Sequence, residues 1–270
     1  MPELPEVETI VQGLRRRLLG RRFTGVQVFW PGALHQVSPE FFRQQVAGRQ
    51  VLDVARRAKF LVLTLSDGLY MLIHLRMTGQ LLLCPALPEE RKHIHVAFAL
   101  DDGTWLYFRD VRKFGRIYWV DDCVEVLGCL GPEPLSDDLS LEAFRARLGS
   151  RRGMIKPLLL DQRFLAGLGN IYADEALFQA GLDPRRRVET LDEDEVGRLY
   201  EAIRAVLRQG IANGGTTLDD YRDAEGQTGR NQESLAVFRR AEEPCPRCGT
   251  IIQRLVVGGR GTFICSNCQR

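Results

Sequence analysis

Four cysteines near the C-terminus, in the pattern Cys245-x2-Cys248 and Cys265-x2-Cys268 with 16 residues between the pairs, constrain the chain more than any other feature. The spacing lets two knuckles of a β-hairpin bring four thiolates around one tetrahedral zinc ion. With cysteine at every position no coordination site stays open, so the expected Zn2+ is structural. It would hold together a segment of roughly 25 residues, too small to bury a core of its own. Between the pairs, Val256-Val257-Gly258-Gly259-Arg260-Gly261-Thr262 reads as strand, tip and strand, with Arg260 at the turn as either a solvated loop residue or a phosphate contact. Cys84, Cys123 and Cys129 are scattered and read as packing residues.

A zinc site needs reduced thiols, and the rest of the chain fits a reducing compartment. Met1-Pro2-Glu3-Leu4-Pro5-Glu6 has no basic segment followed by an apolar one, and no run approaches the roughly 18 apolar residues that span a bilayer. A cytoplasmic protein is expected, with no membrane partner. With 44% hydrophobic and 27% charged residues over 270 positions, the chain is globular and long enough for two cores. The net charge of +2 is small, so a polyanionic partner has to be held by a local basic surface.

Val7, Ile10, Val11, Leu14 and Leu18 recur at three- and four-residue spacing, which predicts one amphipathic helix over residues 6–19. From about Phe23 to Val120 the pattern shifts to short β-rich runs, among them 60–65, 69–75, 80–84, 94–100, 105–109 and 116–120, with turns at Asp67-Gly68 and Asp102-Gly103. Such spacing favours a sandwich or barrel. Gly131-Pro132-Glu133-Pro134 interrupts both periodicities and marks a domain boundary. Helices are expected beyond it at 141–148, 155–161, 171–179 and 192–211, the last opened by a Thr190-x-x-Glu193 capping box. Ala166-Gly167-Leu168-Gly169-Asn170 reads as a tight turn with Asn170 capping the next helix, and residues 216–232 as a mobile polar loop.

At the other end, loss of Met1 is favoured by a small second residue and would leave Pro2 as a terminal secondary amine. Attack of such an amine on an aldehydic carbon gives an iminium ion with no N–H proton to lose, so it stays cationic and serves as an electron sink. Its pKa, ordinarily about 7.7–8.0, would be lowered by the positive end of the adjoining helix. Glu3 and Glu6 stand beside it, one as a candidate proton donor, the other in the helix's first turn where a carboxylate is stabilised. Taken alone, these residues suit an ordinary helix start better than a catalytic site.

The opening Pro2-Glu3-Leu4-Pro5-Glu6-Val7-Glu8-Thr9 resembles the start of bacterial formamidopyrimidine-DNA glycosylases, and four further segments agree in order. They are Arg56-Arg57-Ala58-Lys59-Phe60-Leu61, His74-Leu75-Arg76-Met77-Thr78-Gly79, Gly167-Leu168-Gly169-Asn170-Ile171-Tyr172-Ala173-Asp174-Glu175, and the cysteine cluster with Gly259-Arg260-Gly261-Thr262-Phe263. The likeness spans essentially the whole chain. It implies an α+β protein: an N-terminal catalytic β-sandwich with its N-terminal helix (1–131), a helix-two-turn-helix DNA-binding domain (132–235) and a four-cysteine zinc finger (236–270). Double-stranded DNA carrying oxidised bases or abasic sites would run through the cleft between the two halves, bound by a monomer.

By position, the resemblance makes Pro2 the nucleophile at the sugar C1′, Glu3 the general acid and base, Lys59 a proton donor in β-elimination and Arg260 the residue of phosphate binding and δ-elimination. Met77, Arg112 and Phe114 match a trio that fills the gap left by an extruded nucleotide, and their types suit wedging, filling and pairing. His74, His93, Arg151, Lys156 and Asn170 match or lie near positions that hold the DNA backbone, with Lys156 equally readable as a solvated helix charge. Asp174 and Glu175 would support the turn. The chain departs from the family at Val237-Phe238-Arg239, where many relatives have Val-Tyr-Gly, so that Arg239 would stand in for a phenol. It departs again at Lys92-His93-Ile94-His95 in place of Lys-His-Asp-His, which bears on how His93 is oriented. Two alternatives stand beside oxidised-purine excision: an endonuclease VIII-like glycosylase for oxidised pyrimidines, and a zinc protein that binds damaged DNA without catalysis. Leu4 and Arg112-x-Phe114 argue against the first, and the presence of Pro2, Glu3 and Lys59 against the second.

Overall fold

Leu4–Leu18 (α1) opens the computed structural model, which describes every residue from Met1 to Arg270. Pro5 sits in the first turn, where its missing N–H costs no helical bond. The apolar stripe Val7, Ile10, Leu14 and Leu18 is wholly buried, and the chain leaves the helix through Gly20 at φ +80°. The chain divides into two compact units, Met1–Cys129 with Asn213–Gln232, and Leu130–Ala212 with Glu233–Arg270.

The first unit continues through Phe23–Val28 (β1), Pro39–Val46 (α2), Val51–Arg57 (β2), Phe60–Leu65 (β3), Tyr70–His74 (β4), Gly79–Cys84 (β5), Ile94–Leu100 (β6), Trp105–Asp110 (β7), Arg116–Val120 (β8) and the short helix Val124–Leu127 (α3). Its strands form two antiparallel four-stranded sheets, ordered β1-β6-β7-β5 and β2-β3-β4-β8. Alternate residues point into the core, as in β7 with Leu106 and Phe108 and in β8 with Ile117 and Trp119. Phe23, Phe42 and Phe98 pack at its centre, with ring centroids 5.3 Å apart for Phe23–Phe98. The expected β-rich region therefore holds, with one helix inside it that the periodicity does not show. Ser38 caps α2 by accepting from the Phe41 N–H at 3.2 Å, Pro39 follows at its first position, and Phe42 and Val46 anchor it.

In the second unit the helices are Leu141–Gly149 (α4), Ile155–Leu160 (α5), Asn170–Ala180 (α6) and Glu193–Ala212 (α7), followed by the hairpin Gln253–Val257 (β9) and Arg260–Ile264 (β10). α6 is buried almost all round and packs on α7, where Gly210 makes room for the Tyr172 ring: a Cβ there would lie 2.6 Å from it. Two expected caps are displaced. The box at α7 is Asp192 with Glu195, each carboxylate accepting the other's backbone N–H at 2.7 and 3.0 Å, while the Thr190 hydroxyl turns back to the Arg187 carbonyl. At α6 the capping position belongs to Gly169, and Asn170 is the first helical residue. No helix is long and apolar enough to cross a membrane.

Candidate active site and nucleic-acid interface

Pro2 and Glu3 are both buried at the head of α1, Glu3 at 2% exposure. A carboxylate in the next turn fixes them. Glu6 Oε2 accepts the Glu3 N–H at 2.8 Å, and its Oε1 accepts the Thr216 N–H at 2.7 Å. The segment 216–232, expected as a mobile loop, is thus tied to the first unit. The Tyr221 hydroxyl donates to the Gly214 carbonyl at 3.1 Å, and the Asn231 amide donates to the Thr216 hydroxyl at 2.8 Å. Gly215 is confined to glycine by φ +83° and by its closeness to the Tyr221 ring.

Lys59, 6% exposed, lies in the two-residue turn between β2 and β3. Helix α1 reaches that turn through an ion pair. Glu8 Oε2 holds Arg56 Nε at 2.9 Å, and Arg56 Nη1 donates to the Ala58 carbonyl at 3.1 Å. Ala58 adopts φ +55°, a conformation a residue with a Cβ takes only when its surroundings enforce it. Strain of this kind gathers around the candidates: of eight non-glycine residues at positive φ, Ala58 precedes Lys59, Arg76 precedes Met77, Lys113 lies between Arg112 and Phe114, and the fourth is His93 itself.

His74 ends β4 across from Phe60, the rings 4.6 Å apart edge to face. Its Nδ1 accepts the Arg76 N–H at 3.0 Å, which leaves the proton on Nε2. Burial, then the charges of Arg76 and Lys59, push its pKa down from 6.5 to about 3. A value depressed on folding means that the neutral ring's contribution is present above pH 6.5 and lost as pH falls toward about 3, on the order of 5 kcal/mol across that window. We expect ring nitrogen NMR to show the neutral Nε2–H form down to about pH 4, and His74→Gln to flatten the acid limb of the stability profile. Titration of the ring near pH 6.5 would contradict this.

Met77 and Phe114 are the exposed apolar candidates, at 43% and 46%, and the Arg112 guanidinium lies 4.8 Å over the Phe114 ring. Exposed large side chains on strained loops are what a wedge needs and what a folding core does not.

In the second unit Lys156 is fully buried, so the amine expected at a DNA phosphate or in solvent is committed inside the protein. Nζ lies 2.6 Å from Asp174 Oδ1, 2.7 Å from Thr262 Oγ1 and 3.2 Å from the Gly261 carbonyl. Asn170 Nδ2 donates to the same Gly261 carbonyl at 2.9 Å. Asp174 also accepts the Phe263 N–H at 3.0 Å, and Glu175 accepts the N–H groups of Ala236, Val237 and Phe238 at 2.8–2.9 Å. The two carboxylates, expected to support the turn at residues 167–170, instead hold the hairpin and the segment 236–238 before it. Phe238 packs its ring on Phe263 at 5.2 Å. Arg151 is exposed in a concavity of about 350 Å³ that Arg145, Arg152, Glu189 and Glu193 also line.

Arg260 opens β10 and is exposed, just past Gly258 and Gly259 at φ +56° and +74°, the pair of left-handed residues a tight hairpin turn requires. The sulfurs of Cys245, Cys248, Cys265 and Cys268 all lie within 4.8 Å of one another. A tetrahedral zinc with Zn–S near 2.3 Å sets them about 3.8 Å apart, so the four cysteines suit one structural zinc ion.

Three family descriptions match in order: the formamidopyrimidine-DNA glycosylase N-terminal domain over residues 1–117, the H2TH domain of the same enzymes over 130–222, and the zinc finger found in FPG and IleRS over 242–270. The chain is 49% identical to the formamidopyrimidine-DNA glycosylase of Herpetosiphon aurantiacus, with 100% of each covered. Its fold is similar to the MutM (FPG) protein of Thermus thermophilus, with a TM-score of 0.89 and 43% identity over 99% of this chain and 98% of that one. It is also similar to a Lactococcus lactis FPG mutant in complex with a Fapy-dG containing DNA, with a TM-score of 0.92 and 34% identity over 100% of both chains. Two antiparallel sheets behind an N-terminal Pro-Glu helix, a helical unit and a four-cysteine hairpin, matched from end to end at such identity, make this chain a member of the formamidopyrimidine-DNA glycosylase family.

Proposed function

We propose that the protein is a bifunctional DNA glycosylase and abasic-site lyase of base excision repair, acting in the cytoplasm on double-stranded nucleoid DNA. Its substrates are oxidised purines, 8-oxoguanine and formamidopyrimidines. The observation that carries this is the buried pair Pro2 and Glu3 at the positive end of α1, with the turn of Lys59 anchored to the same helix through Glu8 and Arg56.

With Met1 removed, the neutral Pro2 nitrogen attacks C1′ of the extruded nucleotide as the glycosidic bond breaks. The base leaves with a proton as the Pro2 nitrogen loses its own, and the C1′–O4′ bond then opens with Glu3 protonating O4′, which turns the adduct into an iminium ion. The resulting iminium ion draws electrons from the C2′–H bond, the 3′ phosphate leaves in β-elimination with Lys59 as proton donor, and δ-elimination then expels the 5′ phosphate. Arg260 holds phosphate for the second cut, Met77, Arg112 and Phe114 fill the vacated stack, and His74, His93, Arg151 and Asn170 hold the backbone. Lys156 is better suited to fixing the hairpin that carries Arg260, given its bonds to Gly261 and Thr262 there and its ion pair with Asp174 on α6. Leu4 in place of glycine favours the purine branch, and the Lactococcus relative was solved with Fapy-dG DNA.

The test is base release from matched duplexes. We expect 8-oxoguanine opposite cytosine to be excised at least about tenfold faster than thymine glycol. Preference for thymine glycol would move the protein to the pyrimidine branch, and release of neither would leave a DNA-binding zinc protein.

A further inference from the structure

β7 runs Leu106, Phe108, Asp110 along its core-facing side, so the alternation that buries two apolar residues also buries a carboxylate, at 0% exposure. A buried carboxylate demands partners, and those of Asp110 are the two loops that carry the candidate wedge. Oδ1 accepts the hydroxyl of Thr78, next to Met77, and the N–H of Arg112 at 3.1 Å. Oδ2 accepts the N–H of Gly115, next to Phe114, at 2.7 Å. The Thr78 hydroxyl itself accepts the Arg112 N–H at 3.1 Å, closing a ring across both loops. The Asp110 backbone reaches further, its N–H donating to the His93 carbonyl at 2.9 Å and its carbonyl accepting from His95 Nε2 at 2.6 Å. Gly115 leaves no slack, since a Cβ there would lie 2.4 Å from the Phe108 ring.

We infer that Asp110 is the positioning residue of the gap-filling apparatus: one buried carboxylate locks the Met77 and Arg112–Phe114 loops into a single rigid wedge that enters the duplex as a unit. At 0% exposure Asp110 has no surface to offer DNA, and it acts through the three residues it holds. The left-handed Arg76 and Lys113 are then the strained turns that this carboxylate keeps in place. A wedge assembled before binding avoids ordering two loops against the cost of unstacking a base. The inference rests on the wedge roles proposed above.

The test compares a substrate that requires duplex opening with one that does not. Asp110→Asn faces the Gly115 N–H with an amide N–H, and Thr78→Val removes the hydroxyl, while Thr78→Ser restores it. Single-turnover release of 8-oxoguanine from a duplex should fall about tenfold or more in Asp110→Asn and severalfold in Thr78→Val. Strand cleavage at an abasic site in a single-stranded oligonucleotide, where no stack has to be filled, should stay within about threefold of wild type. Thr78→Ser should return duplex activity to near wild type. In a Phe114→Ala background the Asp110 substitution should add less than about threefold, because its main lever is already gone. If Asp110→Asn does not fold, the Thr78 pair decides by the same ratio. Parallel loss on both substrates, no loss on either, or full additivity with Phe114→Ala would overturn the inference. Wild-type protein inactive on both substrates would instead count against the glycosylase reading itself.

Discussion

Borohydride added to the protein with lesion-bearing duplex DNA should fix the two covalently, and a chain that keeps Met1 should fix none. Reduction converts the iminium ion between Pro2 and C1′ into a stable tertiary amine, so trapping reads the nucleophile directly. A retained methionine turns the Pro2 nitrogen into an amide with no nucleophilic lone pair. Met1 is 53% exposed and lies before the first helical turn, so keeping it should leave the melting temperature unchanged. Loss of strand cleavage and adduct by about a thousandfold or more is expected, as for other enzymes deprived of their nucleophile. Pro2→Gly should also fail, because a primary amine gives an imine that sheds its proton and weakens the electron sink. N-terminal mass measurement on the same samples establishes which form is active. Equal trapping by blocked and unblocked chains would exclude Pro2 and turn attention to Lys59.

How much of this was legible beforehand depended on whether the cause was local. β3, β6 and β8 lie where the short β-rich runs predicted them, because strand-forming composition and Asp-Gly turns are properties of neighbouring residues. The zinc cluster was equally plain, since the ligands come as two close pairs. Helix α2 escaped because it has only eight residues and two buried anchors, too few for a helical period to stand out against β-rich surroundings. Its signal was Ser38-Pro39-Glu40, a start without a visible stripe. Thr190-x-x-Glu193 and Asp192-x-x-Glu195 both spell a capping box, and nothing local separates them. Lys156 and Asn170 depended on partners some 90 to 106 residues away in the hairpin, so neither the burial of the first nor the contact of the second could be read from the sequence around them. Asp110 was visible in principle, as a charge at an inward position of a strand. The partners that give it a role, Thr78, Arg112 and Gly115, became apparent only once the loops were in place.

Removing the metal should dismantle more than the finger. Structural zinc contributes about 10–16 kcal/mol of apparent binding energy in isolated fingers, more than the whole stability of many domains. Without it the β9–β10 hairpin loses the cross-link that joins its two ends, and its displacement strips the buried Lys156 of its acceptors Gly261 and Thr262. A buried ammonium–carboxylate pair deprived of its surrounding hydrogen bonds is destabilising by several kcal/mol, so the disturbance reaches α5 and α6. Cys265→Ser or a strong chelator should therefore lower the melting temperature of the second unit by about 10 °C or more. The amides of Phe263 and of Ala236 to Phe238 should lose hydrogen-exchange protection, while Leu72 and Ile73 in the sandwich keep theirs. DNA binding should weaken by at least about a hundredfold, because Arg260 and Asn170 no longer have a fixed hairpin between them. Readdition of Zn2+ to the chelated protein, but not to Cys265→Ser, should restore both. Protein that holds less than one equivalent of zinc and melts identically with and without chelator would show that the four thiols do no structural work.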